Sequence, residues 1–260
     1  MLVVGCNRGR EARLFLDAGA REVWGIDVMK DVGLDYPDKR AHYAQMSAES
    51  MQLDDELFDV VFCLATMEHI ARPEDAYREI GRVTAPEGLA YVHSAPLWNA
   101  REGHHKGDIF DVDRYPWIHL RFDPHELKQL CASGEIEYPH TVDDIDAQID
   151  YMTSSDHFNK RPARDYVRIC SELEGFDLER NKLHLEPESV LALISEDERA
   201  RLAERGIDAI ELRALTHTLV AWRGRRPWRL PSPRAWIGAR QARVRRLARR
   251  LRAPFYDGGR

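Results

Sequence analysis

Apolar runs and amphipathic stretches alternate along the first 96 residues of the chain. The run LVVG at residues 2–5 stops at glycines, and the amphipathic stretch from Glu11 to Ala18 stops at Gly19. Further apolar runs predict strands at REVWGID, near residues 42–45, at 58–65 and at 89–93, with a helix over 73–83. Strands and helices that alternate at this spacing predict βαβ units in an α/β, doubly wound and mainly parallel sheet.

The pattern changes after Pro96. Residues 97–160 hold few periodic segments and are rich in His, Asp, Trp and Tyr, which is typical of an inserted binding region or lid. The alternation then resumes, and it predicts helices over 163–173 and 196–205 and strands over 176–185 and 212–222. We therefore expect one domain over residues 1–223, with an acceptor-side insertion at 97–160, followed by a tail over 224–260.

Composition and charge constrain the location of the protein, the state of its cysteines and the charge of its surfaces. No run approaches the roughly 18 apolar residues of a membrane-spanning helix, and the N-terminus lacks a secretory signal, so a cytoplasmic location is expected. The four cysteines are widely separated, which favours reduced core thiols. The net charge of −6 conceals a tail in which residues 221–260 hold 13 arginines and one acid. That distribution leaves about −18 on residues 1–220 and +12 on the rest.

The turn after the first strand has the features of a nucleotide-type binding site. A glycine-rich turn between a strand and a helix brings backbone N–H groups toward a ligand, and an acid at the end of the second strand can accept hydrogen bonds from ribose hydroxyls. Gly5, Gly9 and Asp27 fit this arrangement, with Asp27 about 20 residues beyond the turn. The alternative is that the glycines serve only a tight strand-to-helix turn.

Three longer blocks distinguish these alternatives. Three runs within residues 1–96 resemble the motifs of the small class I S-adenosylmethionine-dependent methyltransferases. In chain order they are LVVGCNRGREARLFLDAGAREVWGIDV, SAESMQLDDELFDVVFCLATMEHI and EDAYREIGRVTAPEGLAYVHSAP. The segment LTHTLVAWRG resembles the last strand of that family. The resemblance implies a Rossmann-like fold, a methyltransferase activity and S-adenosyl-L-methionine as the methyl donor.

The resemblance also implies roles for individual residues. Gly5, Asn7 and Gly9 would pass the methionine part of the donor, and Asp27, with Val28 beside it, would hold the ribose. Ala48 and Glu49 would border the adenine, and Ala65 and His69 would line the sulfonium pocket. For His69, a structural hydrogen-bonding role is the alternative to catalysis, and Glu68 has the same ambiguity.

The sequence departs from the family pattern at three positions. Val3 replaces the usual acid two residues before the first glycine, Asn7 replaces the middle glycine, and Ser47 replaces the acid at the adenine edge. Val3 cannot accept a hydrogen bond, whereas Asn7 could bond the donor's carboxylate. The helix that usually precedes the first strand is not in this sequence, which suggests that the native start lies upstream of Met1 or that the cover comes from elsewhere.

The segment from Pro96 to Phe122 is the expected acceptor side, because ligands of this fold sit beyond the carboxyl ends of the strands. Its candidate bases or ligands are His104, His105 and His119, accompanied by Asp108, Asp111, Asp113, Trp98, Tyr115 and Trp117. Aromatic faces beside carboxylates and imidazoles suit a polyhydroxylated acceptor. Mg²⁺ or Mn²⁺ could bind such oxygens and chelate adjacent hydroxyls, and the alternative is a solvated lid. We assign no metal ligands from the sequence.

The tail segment ARQARVRRLARRLRAP predicts a basic amphipathic helix. Ile237, Val244, Leu247 and Leu251 fall on one stripe with arginines elsewhere, which is typical of a helix on an anionic membrane surface. Nucleic acid is disfavoured as a partner because the acidic body would repel phosphate, and a helix that is solvated or pairs with a second copy is the remaining alternative. The expected location is then cytoplasmic, with peripheral attachment to the inner face of the membrane.

These patterns favour an O-methyltransferase that acts on a hydroxyl of a saccharide or a glycosylated acceptor. Two alternatives stay open: a methyltransferase of a lipid, quinone or other small metabolite, and a non-catalytic methyltransferase-like binding subunit. The departures at Val3 and Asn7 motivate the second of these. The sequence leaves the acceptor and the methylated position unspecified.

Overall fold

Apolar runs bounded by glycines form the central strands, as the pattern predicts. The computed structural model describes residues 1–224 and the backbone of residues 256–257. The strands are β1 (Leu2–Val4), β2 (Val23–Asp27), β3 (Ala41–Gln45), β4 (Phe58–Leu64), β5 (Thr84–Ser94), β6 (Phe176–Leu185), β7 (Ala214–Arg223) and β8 (Tyr256–Asp257). The helices are α1 (Glu11–Asp17), α2 (Pro73–Val83), α3 (Ile118–Arg121), α4 (Pro124–Ser133), α5 (Ile145–Thr153), α6 (Ala163–Ser171), α7 (Glu196–Glu204) and α8 (Ala209–Arg213).

The strands form one sheet in the order β6-β7-β5-β4-β1-β2-β3-β8. Strands β1 to β5 pair in parallel, β7 runs antiparallel between β5 and β6, and β8 pairs antiparallel with β3. Because the order reverses on the two sides of β1, the sheet is doubly wound, and the loops after β1 and β4 diverge at its carboxyl edge. The expected Rossmann-like α/β fold is confirmed. Within the described residues, none of the helices is long and apolar enough to span a bilayer.

Burial follows the sheet's two faces. The largest buried cluster packs α2 and α6 against β1, β4, β5 and β7, and a second cluster packs α1 against β1 and β2. All four cysteines are buried. One boundary differs from expectation: β5 begins at Thr84, directly after α2, rather than at Leu89. A register shift against β4 accommodates the extra residues, so Gly88 lies within an irregular strand instead of before it.

The insertion at 97–160 is a packed unit rather than a long loop. Helices α3, α4 and α5 share a small core around Phe110, Ile118, Leu127 and Ile149. The sequence pattern did not reveal these helices, although Asp123 and Glu126 form a capping box at the start of α4. The predicted basic helix of the tail lies outside the described residues, as does most of segment 224–260.

Glu211 attaches the insertion to the domain. Its carboxylate is 1% exposed and accepts hydrogen bonds from Asn99 Nδ2 at 3.0 Å, from the Ala163 N–H at 2.6 Å and from the Arg164 N–H at 3.2 Å. The two backbone donors belong to the first turn of α6, whose N–H groups have no partner within their own helix. A single side chain from α8 therefore caps α6 and fixes the start of the insertion.

His217 on β7 makes the stability of the fold depend on pH. Its imidazole is fully buried, with Nε2 2.8 Å from Asn181 Oδ1, and it faces the hydroxyl of Tyr77 and the ring of Tyr166, with His93 nearby. Burial lowers the pKa of His217 to about 4. As the pH falls, His217 is protonated first in the unfolded chain, where its pKa is that of an ordinary histidine. The contribution of neutral His217 to the free energy of unfolding is therefore complete above about pH 6.5 and is lost toward pH 4.

Between pH 6.5 and pH 4, the free energy of unfolding of the wild type is expected to fall by about 3 kcal/mol more than that of His217→Gln. The amide keeps a donor toward Asn181 but cannot take up the proton. Urea unfolding of both proteins at several pH values measures the difference. Parallel pH curves would show that His217 stays neutral in both states or is solvated in the native protein.

Candidate functional site

A cleft of about 240 Å³ opens at the carboxyl edge of the sheet, where β1, β2 and β4 end. Six of the residues predicted from the sequence line it: Gly5, Asp27, Val28, Ala48, Glu49 and His69. Thr66, Met46, Ile70 and Ala71 also line it, and the sequence analysis missed these four. Thr66 lies two residues after the end of β4, so its position after an apolar strand was the available signal.

The turn after β1 leaves no room for a side chain at its first glycine. Gly5 has φ of +74°, and a Cβ placed there would lie 2.1 Å from Thr66 Oγ1. Gly5 can therefore lie against Thr66 in this left-handed turn only because the residue has no side chain. Gly9 has a different surrounding: a Cβ there would lie 2.7 Å from the ring of Tyr43, whose hydroxyl donates to the Gly9 carbonyl. Gly9 thus permits packing behind the turn and does not line the cleft.

Asp27 is oriented by the same turn. One carboxylate oxygen accepts the Asn7 N–H at 2.8 Å, and the other accepts the Met29 N–H at 3.2 Å. Asn7 adopts φ of +48°, which asparagine tolerates better than most residues, and its side-chain oxygen accepts the Arg8 N–H. The Asn7 side-chain oxygen is used within its own turn, and Asn7 is not among the residues that line the cleft. Val3 is buried at 3% exposure and has no polar side-chain atom.

Glu49 closes the other side of the cleft. Its carboxylate accepts the Arg72 N–H at 2.7 Å, and its own N–H donates to Ser47 Oγ at 3.2 Å. Ser47 therefore holds Glu49 in place at the position where the family pattern has an acid. Ala65, at the end of β4, has φ of +47° and donates its N–H to the His93 carbonyl at 2.8 Å. This left-handed conformation in a residue with a Cβ costs about 1–3 kcal/mol and turns the chain sharply beside the cleft.

The cleft fits the methyl donor that the motifs imply. Gly5 offers close backbone approach, Asp27 and Glu49 offer fixed carboxylate acceptors for hydroxyl or amine donors, and Ala48, Met46 and Ile70 offer apolar walls for an aromatic ring. When bound, S-adenosylmethionine supplies an electrophilic methyl group on a sulfonium. The residues of this chain hold and orient it.

The predicted histidines are divided between two environments. His69 is exposed and lines the cleft, and His105 is half-buried beside it, with ring centroids 4.9 Å apart. His104 and His119 are buried at 0% and 6% exposure, 5.1 Å apart, deeper in the insertion. Burial lowers the pKa of His104 to about 4 and that of His119 well below its usual value, so both are neutral near pH 7.

Each ring of the buried pair is held by its own hydrogen bond to a backbone group. His104 Nδ1 accepts the Lys106 N–H at 3.0 Å, and His119 Nε2 lies 2.7 Å from the Trp98 carbonyl, to which it must donate. The remaining atoms, His104 Nε2 and His119 Nδ1, are a donor and an acceptor that have no partner among the described residues. The two imidazoles hold the insertion together from within and do not face the cleft.

Aspartates of the insertion already have partners within it. Asp111 accepts the N–H groups of Asp113 and Arg114, and Asp113 pairs with Arg101. Asp108 is exposed. Among the described residues, the group whose geometry could hold a metal ion comprises Glu68, His69 and His105, and it includes none of these aspartates.

Comparisons with known proteins agree with the motifs. The sequence profile of a methyltransferase domain family matches residues 2–92. No curated protein matches the chain. Among solved structures, an S-adenosylmethionine-dependent methyltransferase from Mesorhizobium loti is 15% identical, with 85% of this chain and 89% of that chain covered and a TM-score of 0.49. Phosphoethanolamine N-methyltransferase 2 from Haemonchus contortus, in complex with S-adenosyl-L-methionine, is 15% identical, with 86% and 48% covered and a TM-score of 0.49.

At this level of similarity the fold assignment rests on the strand order, and the family assignment rests on the motifs and on the match over residues 2–92. The glycine turn, the acid that ends β2 and the residues that follow β4 meet in one cleft at the switch point of the sheet. Residues 2–92 therefore match a methyltransferase domain in sequence, and the cleft that they form is consistent with the class I, S-adenosylmethionine-dependent type.

Proposed function

We propose that this methyltransferase transfers the methyl group to a hydroxyl oxygen of a saccharide or of a glycosylated acceptor. The observation that carries the proposal is a pair of neutral imidazoles, His69 and His105, at the mouth of the donor cleft. Burial lowers the pKa of His69, and it lowers that of His105 to about 4, so both rings are uncharged near pH 7 and have a lone pair available. Methylation of a hydroxyl requires that its proton be removed, and such groups can accept it.

The side chains around this pair suit a polyhydroxylated acceptor. Tyr151 is 38% exposed and stacks on His157 at 4.1 Å, with the Lys106 ammonium 4.5 Å from its ring centre. The half-buried Trp98 has the Lys160 ammonium 5.1 Å from its ring. Aromatic faces can pack against the C–H face of a sugar, while the ammonium groups can donate to its oxygens.

The rim residues are held rigidly, which a bimolecular transfer needs. Asn159 Nδ2 donates to the carbonyls of Met67 and Ile70 at 2.7 and 2.9 Å, and the Asn159 N–H donates to the Glu68 carbonyl. The turn that carries Glu68 and His69 is thereby fastened to the end of the insertion. Positioning of the acceptor and of the donor then depends on the same segment.

The proposal is tested by incubating the purified full-length chain and isotopically labelled donor with a panel of glycans, glycolipids, amines and quinols. We expect a methyl ether on a saccharide, and we expect His105→Asn to lower turnover by about 10²- to 10⁴-fold with donor affinity nearly unchanged. The matched control is His125→Asn, since His125 is exposed on α4. Products on amines, quinols or lipids alone would contradict the saccharide assignment, and donor binding without any product would favour a binding subunit.

We further propose that the tail attaches the enzyme to an anionic membrane. The charge of about +12 on residues 221–260, against an acidic body, supports this proposal. Gly224 follows β7, whose last residues pair with Leu89 on the side of the sheet opposite the donor cleft. The backbone of Tyr256–Asp257 pairs with His42 and Tyr43 of β3, so the tail begins at β7 and its last residues lie beside β3.

Removal of residues 225–260 is expected to abolish sedimentation with anionic vesicles while donor binding is retained. The donor cleft is lined by residues 4–71, and the removed β8 pairs with His42 and Tyr43, which do not line it. Each basic residue near an anionic surface contributes about 1 kcal/mol at low salt, and the contribution fades beyond about 8 Å at physiological salt. Co-sedimentation of both forms with neutral and anionic vesicles, at two salt concentrations, measures this. Equal sedimentation of the two forms would contradict the proposal.

A further inference from the structure

Three side chains at the rim of the donor cleft converge on one point. Glu68 and His69 lie in the single 3₁₀ turn after β4, and His105 comes from the insertion. One carboxylate oxygen of Glu68 and one ring nitrogen of each histidine all lie within 4.8 Å of one another. Two imidazoles and one carboxylate at such separations could share a single ion in place of direct mutual contacts.

Both imidazoles are held by backbone carbonyls in the manner of metal ligands. His69 Nδ1 lies 2.7 Å from the His157 carbonyl, and His105 Nε2 lies 3.0 Å from the Pro96 carbonyl. A carbonyl oxygen only accepts, so each of these nitrogens must carry the proton, and the other nitrogen of each ring keeps its lone pair. An N–H donated to a carbonyl is the usual outer contact of a metal-bound histidine, because it fixes the tautomer and the orientation of the ring.

Glu68 supplies the independent observation. It is 2% exposed, and within the described part of the chain its carboxylate oxygens have only the poorly aligned N–H groups of Glu68 itself and of Ala95 near them. A buried carboxyl group whose donors are poorly aligned lacks most of the compensation for its lost hydration. A bound cation would satisfy both oxygens and supply that compensation.

The backbone brings these ligands together at some expense. His105 adopts φ of +56°, a left-handed conformation that is unfavourable for a histidine, and its ring packs against Phe158 at 5.0 Å. The Asn159 amide fixes the turn of Glu68 and His69 from the other side. Strain that surrounding contacts maintain is typical of functional sites.

We propose that Glu68, His69 and His105 form a binding site for one divalent transition-metal ion, such as Mn²⁺, Fe²⁺ or Zn²⁺. Two imidazoles and one carboxylate favour these ions over Mg²⁺, which prefers all-oxygen ligands, and three protein ligands leave coordination positions open. His69 lines the cleft, so the open positions would be available to acceptor oxygens. With the ion bound, the free nitrogen of each imidazole is coordinated, and the ion, in place of a free imidazole, would promote loss of the hydroxyl proton by lowering the pKa of the acceptor oxygen bound to it. Ion binding is independent of the acceptor's identity, whereas a role in holding adjacent hydroxyls rests on the proposed function.

Calorimetric titration of the untagged, chelator-treated full-length chain with Mn²⁺, Zn²⁺ and Mg²⁺ tests the site. We expect one ion per chain, with Mn²⁺ and Zn²⁺ binding more tightly than Mg²⁺. Glu68→Gln and His105→Asn should each weaken binding by at least about 10- to 100-fold. The control variant His125→Asn should bind as the wild type does. Thermal melting and donor affinity show whether each variant is folded.

Pulsed EPR of the Mn²⁺-loaded wild type provides a measurement that needs no variant, and it should detect coupling to imidazole nitrogen. Absence of binding, absence of nitrogen coupling, or equal affinity in the folded Glu68 and His105 variants would overturn the proposal. Tighter binding of Mg²⁺ than of Mn²⁺ would overturn it as well. An ion that binds as expected in an enzyme that methylates no saccharide would contradict the proposed function and leave the metal site intact.

Discussion

Replacement of Glu211 by alanine is expected to lower the free energy of unfolding by about 3 kcal/mol, the largest stability effect that we predict. The substitution removes the acceptor for two N–H groups at the start of α6 and for the buried amide of Asn99. Buried donors that lose their acceptor cost about 1–3 kcal/mol each, and partial rearrangement reduces the sum.

Urea unfolding of the full-length protein measures this effect. Glu211→Gln keeps one acceptor oxygen and should cost less than the alanine variant. Glu204→Ala, at an exposed position of α7, is the matched control and should change stability by no more than about 0.5 kcal/mol. An alanine variant at position 211 as stable as this control would mean that water replaces the carboxylate without loss.

Replacement of Asp27 by alanine is expected to weaken donor binding by roughly 10- to 100-fold. Hydrogen bonds from ribose hydroxyls to a carboxylate contribute about 1.5–3 kcal/mol, and the fixed orientation of Asp27 between the Asn7 and Met29 N–H groups preserves that contribution. The measurement is calorimetric titration with S-adenosylmethionine. Asp17→Ala, on the exposed side of α1, is the control.

The same substitution frees the Asn7 N–H, so the glycine turn can also loosen. A thermal melt distinguishes loss of a contact from loss of the fold. If a folded Asp27→Ala variant bound the donor as tightly as the wild type, Asp27 would have only a structural role in the turn.

The sheet and the donor side could be predicted from the sequence because their determinants are local. Apolar runs that end at Gly5 and Asp27, and the helix from Pro73 to Val83, specify strand ends and helix ends over a few residues each. The carboxyl ends of parallel strands meet at one edge, so residues after β1, β2 and β4 converge once the topology is known. Six predicted residues consequently line the cleft.

The acceptor side could be predicted only in part because its determinants are tertiary. Nothing near His105 in the sequence shows that its ring meets that of His69, or that the Pro96 carbonyl selects its tautomer. His104 is adjacent to His105 in sequence but points into the insertion core, and only the fold distinguishes the two. Glu211 also depends on tertiary contacts, since its partners are 47 or more residues away along the chain.

Titration of the purified full-length chain with S-adenosylmethionine, in parallel with a Gly5→Val variant, tests the central claim most directly. A valine side chain would begin 2.1 Å from Thr66 Oγ1, at a position with φ of +74°, and would displace Thr66, which lines the cleft. We predict binding at one site per wild-type chain and no detectable binding to the folded variant. A folded wild-type chain that fails to bind the donor, or a variant that binds it equally well, would contradict the assignment of this cleft as the methyl-donor site.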